Sequence, residues 1–305
     1  MNQLSDQVVH ALWFEEDDPH HANFEASHSL AAQVAKVAGL KPFPVVAQKV
    51  SQMVARPECR IEELGRVIET DPSLAGRLMR LANSALFRIG DPASTLEQAL
   101  VRLGTSTTYQ LVTALAVMGL FPGKGKDAER VRAECVGAAA IARGLARSAR
   151  HPGAGQAFLC GLMHDLGKLL LMQTGELDYS ERPEEGGGEG EHDWERSKLG
   201  YDHAVLGGHV MTLWGLPPIV SEVVAWHHQP KRAYAEGGEV ADLMAFVTLA
   251  DVLEPAVASA DTLPRDLAEH LESFAALSVL SLDVDKLCDQ WSSLKELRSQ
   301  AVGSI

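Results

Sequence analysis

The chain of 305 residues is 46% hydrophobic and 6% aromatic, and its 27 basic against 41 acidic residues give a formal net charge of −14. So much apolar content excludes disorder over most of the chain, and its Ala, Leu and Val favour helices over strands. The acidic balance repels phosphate backbones and anionic bilayers, and no local basic patch overrides it, so neither nucleic acid nor membrane is an expected partner.

The longest apolar runs, such as Leu111 to Phe121, stop well short of the roughly 20 residues a membrane span needs. The N-terminus is acidic where a signal peptide would be basic. Cys59, Cys135, Cys160 and Cys288 are scattered, without the close pairs of zinc or redox sites. The expectation is a soluble cytoplasmic protein with reduced thiols in its core.

In chain order, Met1 to Gly39 is a preface with one helical patch (Leu30, Val34, Val37, Ala38) and a polar stretch, Glu15 to His28. Its His20, His21 and His28 are donors in principle, but solvated terminal histidines are the simpler reading. Pro42-Phe43-Pro44 then breaks the chain. Val46, Val50 and Met53 mark a helix over Val45–Val54, and Leu64, Val67 and Ile68 mark another over Ile61–Glu69. Asp71-Pro72 opens a third, because Asp71 caps free amides while Pro72 loses no needed donor at the first helical position. Ser94 and Glu97 fit a capping box before Leu100, Val101 and Leu103. A fifth helix begins at Thr107 and ends before Phe121-Pro122-Gly123.

Gly123 to Asp127 reads as a Gly/Lys hinge. An Ala-rich helix follows over Val131–Ala149, then a nearly continuous apolar one over Ala157–Met172, interrupted by His164-Asp165. Glu176 to Glu195, with its Gly/Glu core, reads as an exposed loop unable to pack. Helices resume at His203–Trp214, Ile219–His228 and Leu243–Leu253, and two amphipathic ones close the chain around Leu267–Leu277 and Val284–Leu297.

His164-Asp165-Leu166-Gly167-Lys168 carries the densest chemistry. Successive helical residues point about 100° apart, so an imidazole and a carboxylate side by side share an ion only if it lies between their directions. Lys168 falls on the face of this pair and can reach a substrate phosphate. His203, His227, His228 and Asp251 follow at intervals that suit separate helices of a bundle, whose core can collect metal ligands. Against this stands a metal-free alternative, in which buried histidines and acids satisfy one another by hydrogen bonds.

Pro42-Phe43-Pro44, Ile68 to Leu74, Leu81 to Phe87, Ala99 to Gly104, Gly161 to Lys168 and Trp214-Gly215-Leu216-Pro217, in this order, resemble the HDOD family of bacterial signalling domains. The resemblance spans roughly Leu40 to Glu254. It implies an all-α helical bundle related to the HD and HD-GYP metal-dependent phosphohydrolases, used more often as a regulatory output or scaffold than as an enzyme. The implied organisation is an extension over 1–39, an N-terminal helical subdomain over 40–122, an HD-like subdomain over 123–254 and a helical extension over 255–305.

The implied ligand set is His164, Asp165, His203, His227, His228 and Asp251, with Glu134 where related sequences place a first histidine. Imidazole with carboxylate suits iron, manganese or zinc. Lys168 is the candidate catalytic group if the site is active. Two functions are therefore expected in turn: a non-enzymatic module read by an unidentified signalling partner, or a metal-dependent phosphodiesterase or phosphatase acting on a nucleotide such as a cyclic dinucleotide or an alarmone.

Overall fold

A computed structural model describes residues 24–40, 42–56, 58–88, 90–122, 125–182 and 190–303. His20, His21, Gly123, Lys124 and the 183–189 core of the Gly/Glu stretch lie outside the described residues, as does the side chain of His28. Among the described residues all regular structure is helical. The helices are α1 (Phe24–Leu40), α2 (Val45–Val54), α3 (Ile61–Glu69), α4 (Pro72–Ala82), α5 (Leu96–Met118), α6 (Lys126–Ser148), α7 (Ala154–Met163) and α8 (Leu166–Thr174). After a 3-10 turn at Tyr179–Glu181 come α9 (Glu191–Leu199), α10 (His203–Leu213), α11 (Pro218–Trp226), α12 (Lys231–Glu236), α13 (Gly238–Ser259), α14 (Arg265–Leu271), α15 (Ala275–Leu280) and α16 (Val284–Val302). None of them is long and apolar enough to cross a membrane.

The chain divides into two compact units. The larger comprises Phe43–His164 with Gln229–Ile305. Within it α5 packs against α2, α3 and α4. Asp71 caps α4 through Leu74 N at 3.0 Å, with Pro72 in the first turn, as the sequence predicts. The capping box sits one residue later than expected: Thr95, held extended, accepts from Gln98 N at 3.2 Å, and Gln98 Oε1 accepts from Ser94 N at 3.0 Å. Gly104 splits α5 with φ 74 and ψ 168, a conformation that costs glycine little and other residues much. The two helices expected on either side of it are therefore present, joined at this kink.

Also in the larger unit, α6 packs against α7, α13 and α16. Its contact with α7 is set by small residues: a Cβ on Gly161 would stand 2.9 Å from the Ala139 Cα. Arg143 lies over the Phe87 ring, 3.7 Å from its centroid, and donates to Leu86 O at 3.1 Å beside Arg147 at 3.0 Å. Burial, with Arg147 adjoining, pushes the Arg143 pKa down to about 10. Glu254, over Gly137, accepts from Arg298 at 2.7 Å and ties α13 to α16. Cys135 and Cys160 are fully buried, Cys59 is partly covered and Cys288 exposed. Boundaries also differ from expectation: α6 starts at Lys126, inside the expected Gly123–Asp127 hinge, and α13 extends past Leu243–Leu253 at both ends. The segment Leu267–Leu277 is broken into α14 and α15, and α12 was not foreseen because its six residues are too few to show a period.

The smaller unit joins the described residues up to Pro42 to Asp165–His228. Here α10 is central, packing against α8, α9, α11 and α1. Gln33 and Lys36 of α1 reach the end of α8, to Thr174 Oγ1 at 2.9 Å and Glu176 at 2.8 Å. The tightest approach is between α8 and α10, where Gly167 lies directly against the backbone of His203.

Candidate metal centre

The apolar run Ala157–Met172 is interrupted where expected: α7 stops at Met163 and α8 starts at Leu166, with Asp165 at φ −100 and ψ 11 outside either helix. His164 belongs to the larger unit and Asp165 to the smaller. In the larger unit, His164 Nδ1 donates to Gly161 O at 2.7 Å, which turns Nε2 toward Asp251 Oδ1 at 3.3 Å. Glu134 is engaged on its own helix, where Arg130 Nη1 donates to both carboxylate oxygens at 2.8 and 3.0 Å.

The smaller unit gathers Asp165, His203, His227 and His228, each offering a donor atom within 4.8 Å of the others. Asp202 caps α10 by accepting from Val205 N at 2.9 Å, and Arg196 anchors Asp202 with bonds of 2.7 and 2.8 Å, so His203 stands fixed in the first turn. His203 Nε2 lies 2.9 Å from Asp165 Oδ1 and 3.0 Å from His228 Nε2. His227, just past the end of α11, donates from Nδ1 to Val224 O at 2.7 Å, leaving Nε2 3.8 Å from Asp165 Oδ1. Lys168 Nζ is 2.8 Å from Asp165 Oδ2 and 2.8 Å from Glu191 Oε2.

The site is dry. Asp165 is 3% exposed, His203 0% and His227 3%. Burial drives His203 toward its neutral form, but Glu195 and Asp165 outweigh burial and Lys168 and push its pKa up to about 10. Burial together with its three neighbouring imidazoles holds His228 well below the ordinary range. The donor set fits a divalent cation. Nε2 atoms of His203 and His227, whose Nδ1 atoms are already bonded, and the Asp165 carboxylate converge from a loop and two helix termini. Asp165, His203, His227 and His228 would hold the ion, which would supply Lewis-acid neutralisation of a phosphoryl oxygen. His209 is half-buried on α10, and the loss of solvent around its ring pushes its pKa down to about 4.

Four site residues escaped the sequence reading, which assigned Glu176–Glu195 to a loop unable to pack. Tyr179 is buried in a 3-10 turn, and Glu191, His192 and Glu195 rise from α9. Glu191 pairs with Lys168, His192 stacks on His228 at 4.2 Å between ring centroids, and Glu195 bonds His203. The available signal was aromatic: Tyr179 and Trp194, 5.6 Å apart edge to face, anchor both ends of a stretch whose Gly/Glu composition alone suggests solvent.

A family model for the HDOD domain matches residues 40–230. A phosphohydrolase candidate from Shewanella amazonensis superposes with a TM-score of 0.68 at 22% identity, over 90% of this chain and 97% of its own. A candidate signal transduction protein from Marinobacter aquaeolei gives 0.61 at 19% identity, over 97% of this chain and 68% of its own. Both likenesses are of fold. An uncharacterized protein of Treponema pallidum is 21% identical over 72% of this chain, and the match spans 44% of that relative's length.

Proposed function

Since the chain belongs to the HDOD domain family, we propose that it is a signalling output module that binds a partner protein or small ligand without turning it over, and that Asp165, His203, His227 and His228 hold one divalent ion of the iron, manganese or zinc class. The observation that carries this reading is the state of Lys168. The residue is 8% exposed and its ammonium is shared between Asp165 and Glu191, so its charge is spent inside the protein instead of facing a phosphate. The burial of Asp165, His203 and His227 supports it further. A small ion needs only the ligand atoms, whereas a nucleotide needs a cleft of roughly 300 Å³ or more. Family habit supports a setting in motility, biofilm, virulence or cyclic-dinucleotide signalling. We retain the four-part linear division, with boundaries after 39, 122 and 254, as part of the proposal.

The test is metal analysis of protein purified without chelators, followed by a hydrolysis screen of cyclic dinucleotides and alarmones with added manganese or iron. Stoichiometric metal, lost in Asp165→Ala, with no turnover is the expected outcome. The second reading, a phosphohydrolase, is favoured by the three imidazoles and one carboxylate that converge in the site. Turnover that depends on added metal and disappears in Asp165→Ala would establish it instead.

A further inference from the structure

We propose that Glu195, oriented by Tyr179, is a positioning residue that sets the His203 imidazole for metal ligation, an inference that rests on the metal-binding reading of the site. Glu195 is fully buried on α9, one helix before the histidine it serves. Its Oε2 accepts from His203 twice, from the backbone N at 2.7 Å and from ring Nδ1 at 2.6 Å. Its Oε1 accepts from the Tyr179 hydroxyl at 2.6 Å. Each end of the carboxylate is thus fixed, and rotating it breaks bonds on both sides.

The consequence for His203 is chemical. A proton held at Nδ1 by a carboxylate leaves Nε2 as the electron-pair donor and raises its basicity. Nε2 is the atom that faces Asp165 and His228. Helix capping does not account for the arrangement, because Asp202 already caps α10 through Val205 N. Nor does His227 use the same device, since its Nδ1 donates to a neutral carbonyl. A fully buried carboxylate is costly unless bonded, and two of its three bonds are made to this one residue. Burial works against the charged form of Glu195, while His203 and Tyr179 hold its pKa below the ordinary carboxylate range.

The experiment is a zinc competition titration on the full chain, comparing wild type with Glu195→Gln, Tyr179→Phe and His203→Ala, and with Glu195→Gln placed in the His203→Ala background. Glutamine keeps the volume and an acceptor for His203 but removes the charge. The expected loss of zinc affinity in Glu195→Gln is about 10-fold to 100-fold, with a smaller loss in Tyr179→Phe. In the His203→Ala background Glu195→Gln should have no further effect, a non-additivity that a general packing role would not produce. Should Glu195→Gln fail to fold, Tyr179→Phe carries the same cycle with the carboxylate in place. Zinc bound by wild type with undiminished affinity in Glu195→Gln, or an equal loss with and without His203, overturns this inference alone. Absence of zinc binding by wild type overturns the reading of the site and this inference with it.

Discussion

Replacing Gly167 by alanine probes the link between packing and the proposed metal centre most directly. A Cβ at this position would clash with the His203 carbonyl oxygen and stand 2.6 Å from its carbonyl carbon and 2.9 Å from its Cα. All three atoms are backbone, so no rotamer change relieves the contact. Ordinary van der Waals contact begins at 3.4 Å, so the carbonyl carbon alone requires a retreat of about 0.8 Å, the difference between 3.4 and 2.6, and the nearer oxygen requires more. Overpacking of this kind costs about 1–3 kcal/mol, and the helix propensity of alanine over glycine returns about 1 kcal/mol. With only backbone able to yield, the cost lies at the upper end and the net loss is about 2 kcal/mol. Metal sites tolerate displacements of about 0.2 Å, so the same shift should weaken zinc binding more than tenfold. Urea unfolding followed by circular dichroism, with a zinc titration on the same samples, measures both effects. The internal comparison is Gly76→Ala in α4, where a Cβ meets only the end of Arg80 at 3.9 Å, and which should gain about 1 kcal/mol. A Gly167→Ala protein with wild-type stability and zinc affinity would refute the claim that this approach sets the position of His203.

Asp71→Ala should lose about 1 kcal/mol in urea unfolding, because Leu74 N is left without its cap, whereas Asp71→Asn should stay within a few tenths of wild type. Equal stability of all three would mean that Pro72 alone sets the start of α4. Arg298→Met should cost about 3 kcal/mol at neutral pH by stranding the buried Glu254 carboxylate. In the wild type, burial already outweighs Arg298 and raises the Glu254 pKa above its usual 4.5. The folded state therefore binds that proton more tightly than the unfolded chain. The contribution of this group is at its best below 4.5 and is lost as pH rises through the folded value. Removing Arg298 should widen this window, so the deficit of the variant should shrink on acidification, as stability curves at several pH values would show; a deficit independent of pH contradicts the assignment.

What the sequence made legible follows from strength of local signal. Asp71-Pro72, the period of α2 and α3 and the interruption at His164-Asp165 are each decided within a few residues, and all lie where expected. The displaced capping box shows the limit of such signals, since Ser94 and Thr95 are equivalent caps by type and only backbone conformation chooses Thr95. The clustering of Asp165, His203, His227 and His228 depends on contacts across about 60 residues of chain, which no window of the sequence reports. The family resemblance supplied those positions; periodicity alone would not have. Glu195 and Tyr179 were hidden for another reason. Composition averaged over Glu176–Glu195 is dominated by glycine and glutamate, and that average conceals two aromatic anchors and a helix beginning at Glu191. The compact units cut across the linear order as well, because α1 packs against α10.

The distribution of thiols gives the molecule its own gauge of opening. Burial pushes Cys160 up to about 12, far from the thiolate that alkylating reagents attack, and Cys135 is equally shielded in α6. Cys288 is exposed on α16 and Cys59 is partly so in the connection before α3. A maleimide added to native protein should therefore be consumed first at the helical tail and at the residue before Arg60. Its slow uptake at the other two sulfurs then times the separation of α6 and α7, with no label engineered into the chain.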